Sequence, residues 1–167
     1  MKLFCVLTLA CLTDSQSYAD IHLEFLEGAP KDKFVLTNEG SCQVKNAVIK
    51  IDLSGAAAGL IFDVTAAGAG VEVFQPLEIT SGAEHFSTIP KVSDGDQSIT
   101  LQLQNFGPNK VVAFTIDVDD TTGAREITVS DSEFDGVSVS ATMGEQLFSA
   151  TLQDRSEVRL DMAGCMT

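Results

Sequence analysis

Short segments in which apolar and polar residues alternate run through most of this chain, and they constrain its fold more than any other feature. In segment 21–25, for example, isoleucine, leucine and phenylalanine are separated by histidine and glutamate. The same alternation recurs in segments 49–53, 99–104 and 112–118. A period of two residues is typical of a half-buried β-strand, because successive side chains point to opposite faces of a sheet. The pattern therefore predicts β-strands rather than helices.

Further short apolar segments raise the number of predicted strands to about eleven. They lie at 34–37, 60–64, 71–74, 127–129, 137–139, 147–150 and 158–160. Glycine, proline, aspartate and asparagine fill the short connections, and no window shows sustained helical periodicity. Many short strands with regular turns indicate two packed sheets. We therefore predict an all-β fold, a single antiparallel β-sandwich over residues 20–167, immunoglobulin-like or jelly-roll-like, of a length that suits one domain.

The first nineteen residues have the layout of a secretory signal peptide. Lys2 precedes an apolar stretch at 3–12, and a polar run at 13–19 ends in the small residue Ala19. The apolar stretch is shorter than the roughly 20 residues that a membrane-spanning helix needs. We expect residues 1–19 to be a signal peptide cleaved near Ala19, and the mature protein to be secreted or periplasmic. No second apolar run reaches spanning length, so we do not expect it to be membrane-embedded.

The chain is strongly acidic, with 24 acidic and 10 basic residues and a net charge of −14. Removal of residues 1–19 takes away Lys2 and Asp14, so the mature protein keeps the same charge. A surface of this sign repels phosphate backbones, which argues against nucleic acid as a partner. It suits an exported protein that recruits cations.

Two cysteines, Cys42 and Cys165, remain after Cys5 and Cys11 leave with the signal peptide. Two cysteines in an exported domain most simply form one disulfide, here between an early loop and the C-terminus. Two free thiols are the alternative.

Sequence patterns typical of enzymes are absent. The two histidines, His22 and His85, show no metal-ligand spacing, and the chain has neither a Gly-x-Ser-x-Gly elbow nor a phosphate-binding glycine loop with lysine. We therefore expect no catalytic activity.

Aspartates on predicted loops are the best candidate site. Asp117, Asp119 and Asp120 end the apolar strand at 112–118, and alternation places the first two on one face, about 7 Å apart. Asp94 and Asp96 precede the neighbouring strand. Ca²⁺ takes six to eight oxygen ligands, which carboxylates on loops supply. These five residues are the predicted Ca²⁺ ligands, and solvated turns are the alternative reading of each group.

Several longer segments together resemble a known family. They are EGAPKDKF at 27–34, LTNEGSC at 36–42, IDLSG at 51–55, GLIFDVT at 59–65, GAGVEVFQP at 68–76, DGD at 94–96 and FTIDVDDT at 114–121. In this order they resemble bacterial exported proteins named after the aggregation factor core protein of marine sponges, over residues 25–139. The resemblance implies an extracellular adhesive role, since the sponge factor self-associates in a calcium- and carbohydrate-dependent way. It supplies no catalytic residues.

The sequence thus favours an exported, non-catalytic protein of adhesion, cell aggregation or matrix association that depends on calcium. Its expected partners are cell-surface or extracellular matrix components, or a second copy of itself. The alternative is a periplasmic or secreted module that binds a small ligand or a polysaccharide. A hydrolase is a third hypothesis, which a buried pair of carboxylates with perturbed pKa would favour.

Overall fold

The computed structural model describes residues 18–65, 75–122 and 129–162, and within them the fold is built almost wholly of β-strands. The strands are β1 Ala19–Leu26, β2 Asp32–Asn38, β3 Val44–Asp52, β4 Ile61–Asp63, β5 Glu78–Ser81, β6 Phe86–Thr88, β7 Ser98–Phe106, β8 Val111–Asp119, β9 Ser138–Met143, β10 Gln146–Thr151 and β11 Glu157–Met162. Two short 3₁₀ helices, Ala83–His85 and Asp131–Phe134, interrupt them.

The strands form two antiparallel sheets. In the first sheet the order is β11-β1-β2-β8-β4, and β5 also pairs with β8. In the second sheet the order is β10-β9-β3-β7-β6. The buried apolar residues of both sheets form one core between them. The prediction of an antiparallel β-sandwich is confirmed.

Individual strands differ from the predicted set in places. The segments 71–74 and 127–128 lie outside the described residues. Neither β5 nor β6 was predicted, because both are short, mostly exposed strands without an apolar alternation. The predicted strand at 137–139 is displaced, since β9 runs on to Met143 by alternating small polar residues with buried apolar ones.

A group of buried phenylalanine rings packs together on the core face of the first sheet. Phe34 of β2 stacks on Phe114 of β8 with ring centroids 5.1 Å apart, and Phe25 of β1 meets Phe34 edge-on at 5.1 Å. Phe62 of β4 lies 6.3 Å from Phe34 and is fully buried. A buried aromatic side chain of this size fixes the short strand that carries it, so Phe62 holds β4 against β8.

The beginning of the described chain is integrated into the first sheet. Strand β1 starts at Ala19, which pairs with Met162 of β11, and the backbone N–H of Ser41 donates a 2.8 Å hydrogen bond to the carbonyl of Tyr18. Cleavage after Ala19 would therefore make the second residue of β1 the new N-terminus. The signal peptide stays a prediction, since residues 1–17 lie outside the described part of the chain.

The predicted disulfide also stays a prediction. Cys42 is buried beside the start of β3, and Cys165 lies beyond the last described residue. Among the described residues, no helix has the length and apolar character needed to cross a membrane.

Candidate metal centre

Three carboxylates converge on the outer face of the first sheet. Strand β4 pairs antiparallel with β8 in a register that sets Asp63 directly opposite Asp117. Asp119 lies two residues further along β8, on the same face and opposite Ile61. One oxygen from each of Asp63, Asp117 and Asp119 lies within 4.8 Å of the other two.

This spacing fits one calcium ion. Calcium–oxygen distances are about 2.3–2.6 Å, so two oxygens on one ion are at most about 5 Å apart. The three carboxylates meet this limit without rearrangement. Water and backbone carbonyls commonly complete such a coordination sphere.

The Asp63 carboxylate is buried with fewer well-aligned hydrogen bonds than such a group needs. Its residue is 1% exposed, and neither oxygen accepts a well-aligned hydrogen bond. Among the described residues, one other buried carboxylate oxygen, Oδ1 of Asp20, shares this state, and the second oxygen of Asp20 lies 3.7 Å from Arg159 Nη1. Asp63 is the one residue of the described chain with both carboxylate oxygens in this state, and its remaining polar contacts are with the Thr65 backbone and the Asp94 side chain.

Asn38, another buried polar side chain, has its hydrogen bonds satisfied and so contrasts with Asp63. Asn38 donates hydrogen bonds to the carbonyls of Cys42 and Phe106, at 2.8 and 2.9 Å, and accepts one from the N–H of Gly40. The fold thus supplies hydrogen bonds where a buried group is purely structural. Asp63 differs from Asn38, because neither of its oxygens accepts a well-aligned hydrogen bond.

Burial and mutual repulsion disfavour the ionised forms of these acids. Burial is the largest cause that raises the pKa of Asp63 to about 7, and hydrogen bonding with Asp94 and the charge of Asp119 act in the same direction. Burial also raises the pKa of Asp117 to about 7, together with the charges of Asp119 and Asp32. A bound cation would remove both the repulsion and part of the desolvation cost.

Asp32 supports the centre from the adjacent strand. Its two oxygens accept hydrogen bonds from the N–H groups of Gly28, at 3.1 Å, and Val118, at 2.9 Å. Burial raises the pKa of Asp32 to about 6 in spite of these bonds, and the charges of Glu27 and Asp119 add to the effect. Asp32 therefore ties the β1–β2 connection to β8 and adds negative potential to the site.

The loop at 94–96 lies along β4. The N–H of Phe62 donates to the carbonyl of Asp96, and the N–H of Gly95 donates to the carbonyl of Phe62, both at 2.9 Å. Gly95 adopts a φ of 79°, which glycine tolerates far better than other residues. This docking brings Asp94 beside Asp63, where Oδ1 of Asp94 also accepts a hydrogen bond from Val64 N–H at 3.3 Å.

The five sequence-predicted ligands therefore have different positions. Asp117 and Asp119 belong to the converging group, and Asp94 adjoins it through Asp63. Asp96 turns toward its own loop, where Oδ2 accepts a 2.7 Å hydrogen bond from Ser93 N–H. Asp120 follows the end of β8, is buried, and is not one of the three converging residues.

Asp63 is the member of the group that sequence reasoning missed. Its signal is a lone carboxylate inside the apolar segment 60–64, where a buried strand is expected to carry apolar side chains only. The placement of that carboxylate opposite Asp117 depends on which strand pairs with β8, and local sequence does not encode this pairing.

A second feature is an open groove of about 280 Å³ on the β11 side of the first sheet. Its lining includes His22, Glu157, Arg155 and Arg159, with no phenylalanine. Nδ1 of His22 lies 3.3 Å from a Glu39 oxygen, and Nε2 lies 3.2 Å from a Glu157 oxygen. The groove thus contains both acidic and basic side chains.

Comparison with known proteins gives no relative that could assign either feature. No protein-family model, no curated protein and no solved structure matches the chain.

Proposed function

We propose that this chain is an exported, non-catalytic β-sandwich that binds Ca²⁺ through Asp63, Asp117 and Asp119 and acts in adhesion, cell aggregation or matrix association. The observation that supports the calcium site most strongly is the convergence of three carboxylates, one of which is buried with neither oxygen accepting a well-aligned hydrogen bond. An acidic cluster on a solvated surface would not leave a carboxylate in that state.

The donor set favours Ca²⁺ among the biological cations. The converging atoms are all carboxylate oxygens, which suit hard cations rather than zinc or copper. Mg²⁺ demands near-ideal octahedral geometry at about 2.0–2.1 Å and retains several waters, whereas Ca²⁺ accepts irregular sites.

A pair of carboxylates with raised pKa is also the feature expected of a hydrolase. Asp63, however, is 1% exposed, so a substrate would have to displace the surrounding packing to reach it. A single dehydrated ion needs only oxygens at contact distance, which the structure provides. These observations support cation binding over catalysis.

Isothermal titration calorimetry tests the calcium site. We expect Ca²⁺ to bind the purified protein tightly enough to measure, and Mg²⁺ to bind more weakly. Asp117→Asn should weaken Ca²⁺ binding about tenfold or more, because it removes a charged ligand. Asp96→Asn is the matched control, since Asp96 lies in the adjacent loop and its side chain accepts a hydrogen bond from Ser93 of that loop. The metal centre is wrong if wild type binds no Ca²⁺, or if Asp96→Asn weakens binding while Asp117→Asn does not.

The adhesive part of the proposal rests on the predicted export and on the segments that resemble aggregation factor core proteins. Its proposed partners are cell-surface or matrix components, or a second copy of this chain. Beads coated with the protein should cluster in about 1 mM Ca²⁺ and disperse in chelator, a range typical of extracellular calcium modules. Beads coated with the Asp117→Asn variant should remain dispersed. Equal clustering in Ca²⁺ and in chelator would show that adhesion does not depend on the metal centre.

The groove beside β11 supports the alternative function, binding of a small ligand or a polysaccharide in the periplasm or outside the cell. Its arginine, glutamate and histidine side chains offer hydrogen bonds but no aromatic platform for a sugar ring. A polysaccharide that raises the melting temperature of wild type but not of Arg159→Ala would favour this alternative. An equal rise in the melting temperature of wild type and Arg159→Ala would contradict binding in this groove.

A further inference from the structure

Strand β10 lies at one edge of the second sheet in the described part of the chain. Of the described strands it pairs only with β9, in a continuous register from Gln146↔Met143 to Thr151↔Ser138. Its side chains are mostly exposed, and Leu147 is 68% exposed, the highest value among the exposed large apolar residues described. An exposed edge strand presents unpaired backbone donors and acceptors to other chains.

Nothing in the sequence of β10 protects this edge. Its six residues, Gln-Leu-Phe-Ser-Ala-Thr, include no charge and no proline, although 20% of the chain is charged. Strand β11, at the edge of the first sheet, instead carries Glu157, Arg159 and Asp161 along one side. Charged side chains of that kind are the usual protection of an edge, and of the two uncharged edge strands of the second sheet β10 is the longer, since β6 has only three residues.

The hairpin register identifies which backbone groups point outward. Two residues, Gly144 and Glu145, connect the paired Met143 and Gln146, so this first pair exchanges both hydrogen bonds. Pairs then alternate along the strand, which leaves the N–H and C=O groups of Leu147, Ser149 and Thr151 pointing away from β9.

We propose that two copies of this chain dimerise by antiparallel pairing of their β10 strands, with the two-fold axis at Ser149. In this register Ser149 faces Ser149 of the second copy, and Leu147 faces Thr151. The three outward-facing residues of each strand then form about six hydrogen bonds between the copies. The two second sheets join into one continuous sheet across the dimer.

The distribution of charge supports a second copy of this chain as the partner that pairs with β10. Two molecules of net charge −14 repel each other over most of their surfaces, and β10 offers a six-residue strip without charge. In the proposed register Glu145 falls opposite Gln153, so no like charges face each other at the ends of the strip. The strip is thus self-complementary, as a two-fold interface requires.

This inference names a surface for the self-association included in the proposed function, and it does not depend on the metal centre. Sedimentation equilibrium of the purified protein should show a monomer–dimer equilibrium in calcium and in chelator. Asp117→Asn should dimerise like wild type, so a failed calcium site and a failed dimer are distinguishable.

Substitutions at Ser149 test the register. Ser149→Pro removes the N–H that faces the partner while sparing the bonds to β9, and it should weaken dimerisation about tenfold or more. Ser149→Lys provides a second variant, because it places like charges together at the axis. Thr142→Lys, on the same outer face but one strand inward, is the matched control and should leave the dimer largely intact.

A crosslink examines the same contact directly. Directly opposed residues of a hydrogen-bonded pair have Cα atoms about 5.5 Å apart, within disulfide range. Ser149→Cys should form an intermolecular disulfide under mild oxidation, and Thr142→Cys should not. A protein that stays monomeric at all concentrations overturns the proposal, as does a folded Ser149→Pro or Ser149→Lys variant that dimerises like wild type.

Discussion

In chelator, the protein should become less stable as the pH rises from about 5 to about 8, and saturating Ca²⁺ should largely abolish this loss. Asp63 and Asp117 have a pKa of about 7 in the folded state, against 3.8 as the ordinary value, and Asp32 has about 6. A carboxyl whose pKa is raised by folding favours the folded state below its ordinary pKa. That contribution is lost as the pH rises through the folded-state value.

The expected loss is on the order of 2–4 kcal/mol, because the three groups interact and their shifts do not add. Calcium competes with protons for the same oxygens, so its stabilising effect should be small near pH 5 and large near pH 8. At one thousand times its dissociation constant the ion contributes about 4 kcal/mol, which corresponds to about 10 °C in a domain of this size.

Thermal unfolding followed by circular dichroism at several pH values, with and without Ca²⁺, measures both effects. The same scan with Mg²⁺ is the control for ionic strength and general charge screening. An apoprotein whose stability is flat or rises over this pH range would contradict the raised pKa values. A calcium shift of equal size at pH 5 and pH 8 would contradict direct binding to these carboxylates.

Asp63→Asn should stabilise the protein in chelator at neutral pH and, at the same time, abolish the stabilisation by calcium. The amide has nearly the same shape as the carboxylate but carries no charge, so the repulsion from Asp119 and the cost of burying an anion both disappear. Its NH₂ group can also donate a hydrogen bond toward the Asp94 carboxylate. We expect a gain of about 1–3 kcal/mol without calcium.

A gain of stability in chelator together with a loss of stabilisation by calcium distinguishes an ion ligand from a structural residue. A structural aspartate would lose stability on substitution in both conditions. Asp135→Asn, at an exposed acid after the second 3₁₀ helix, should change neither the apoprotein nor its calcium response. If Asp63→Asn is less stable than wild type in chelator, or still responds fully to calcium, Asp63 is not an ion ligand.

The sequence predicted the aspartates that β8 contributes to the candidate site but not Asp63, which β4 contributes. Alternation along β8 placed Phe114 and Ile116 in the core and Asp117 and Asp119 on the opposite face, because that information is local to one strand. Asp63 is separated from Asp117 by more than fifty residues, and their contact exists only because β4 pairs with β8. Strand pairing of this kind depends on the packing of Phe62 and on the whole sheet order, which no local pattern shows.

Local sequence patterns also do not show which strands lie at the edges of the sheets. The segment 147–150 was predicted as a strand, but its position at an edge depends on the order of the second sheet. Strands β5 and β6 were missed because they are short and their exposed residues need no apolar alternation. The sequence predicted which segments form strands and which side chains share a face of a strand. The neighbours of each strand and the edges of each sheet became known only from the structure.

The short seam between β4 and β8 also affects when the chain can finish folding. Asp63 is buried opposite Asp117. When no ion is bound, the burial of these two acids opposes the pairing of β4 with β8 at neutral pH. A site with the affinity of extracellular calcium modules, about 10⁻⁴–10⁻³ M, is empty in a cytoplasm that keeps free calcium low and fills outside the cell. If the chain is exported as proposed, it would remain easier to unfold before export and would acquire its full stability only in a compartment rich in calcium.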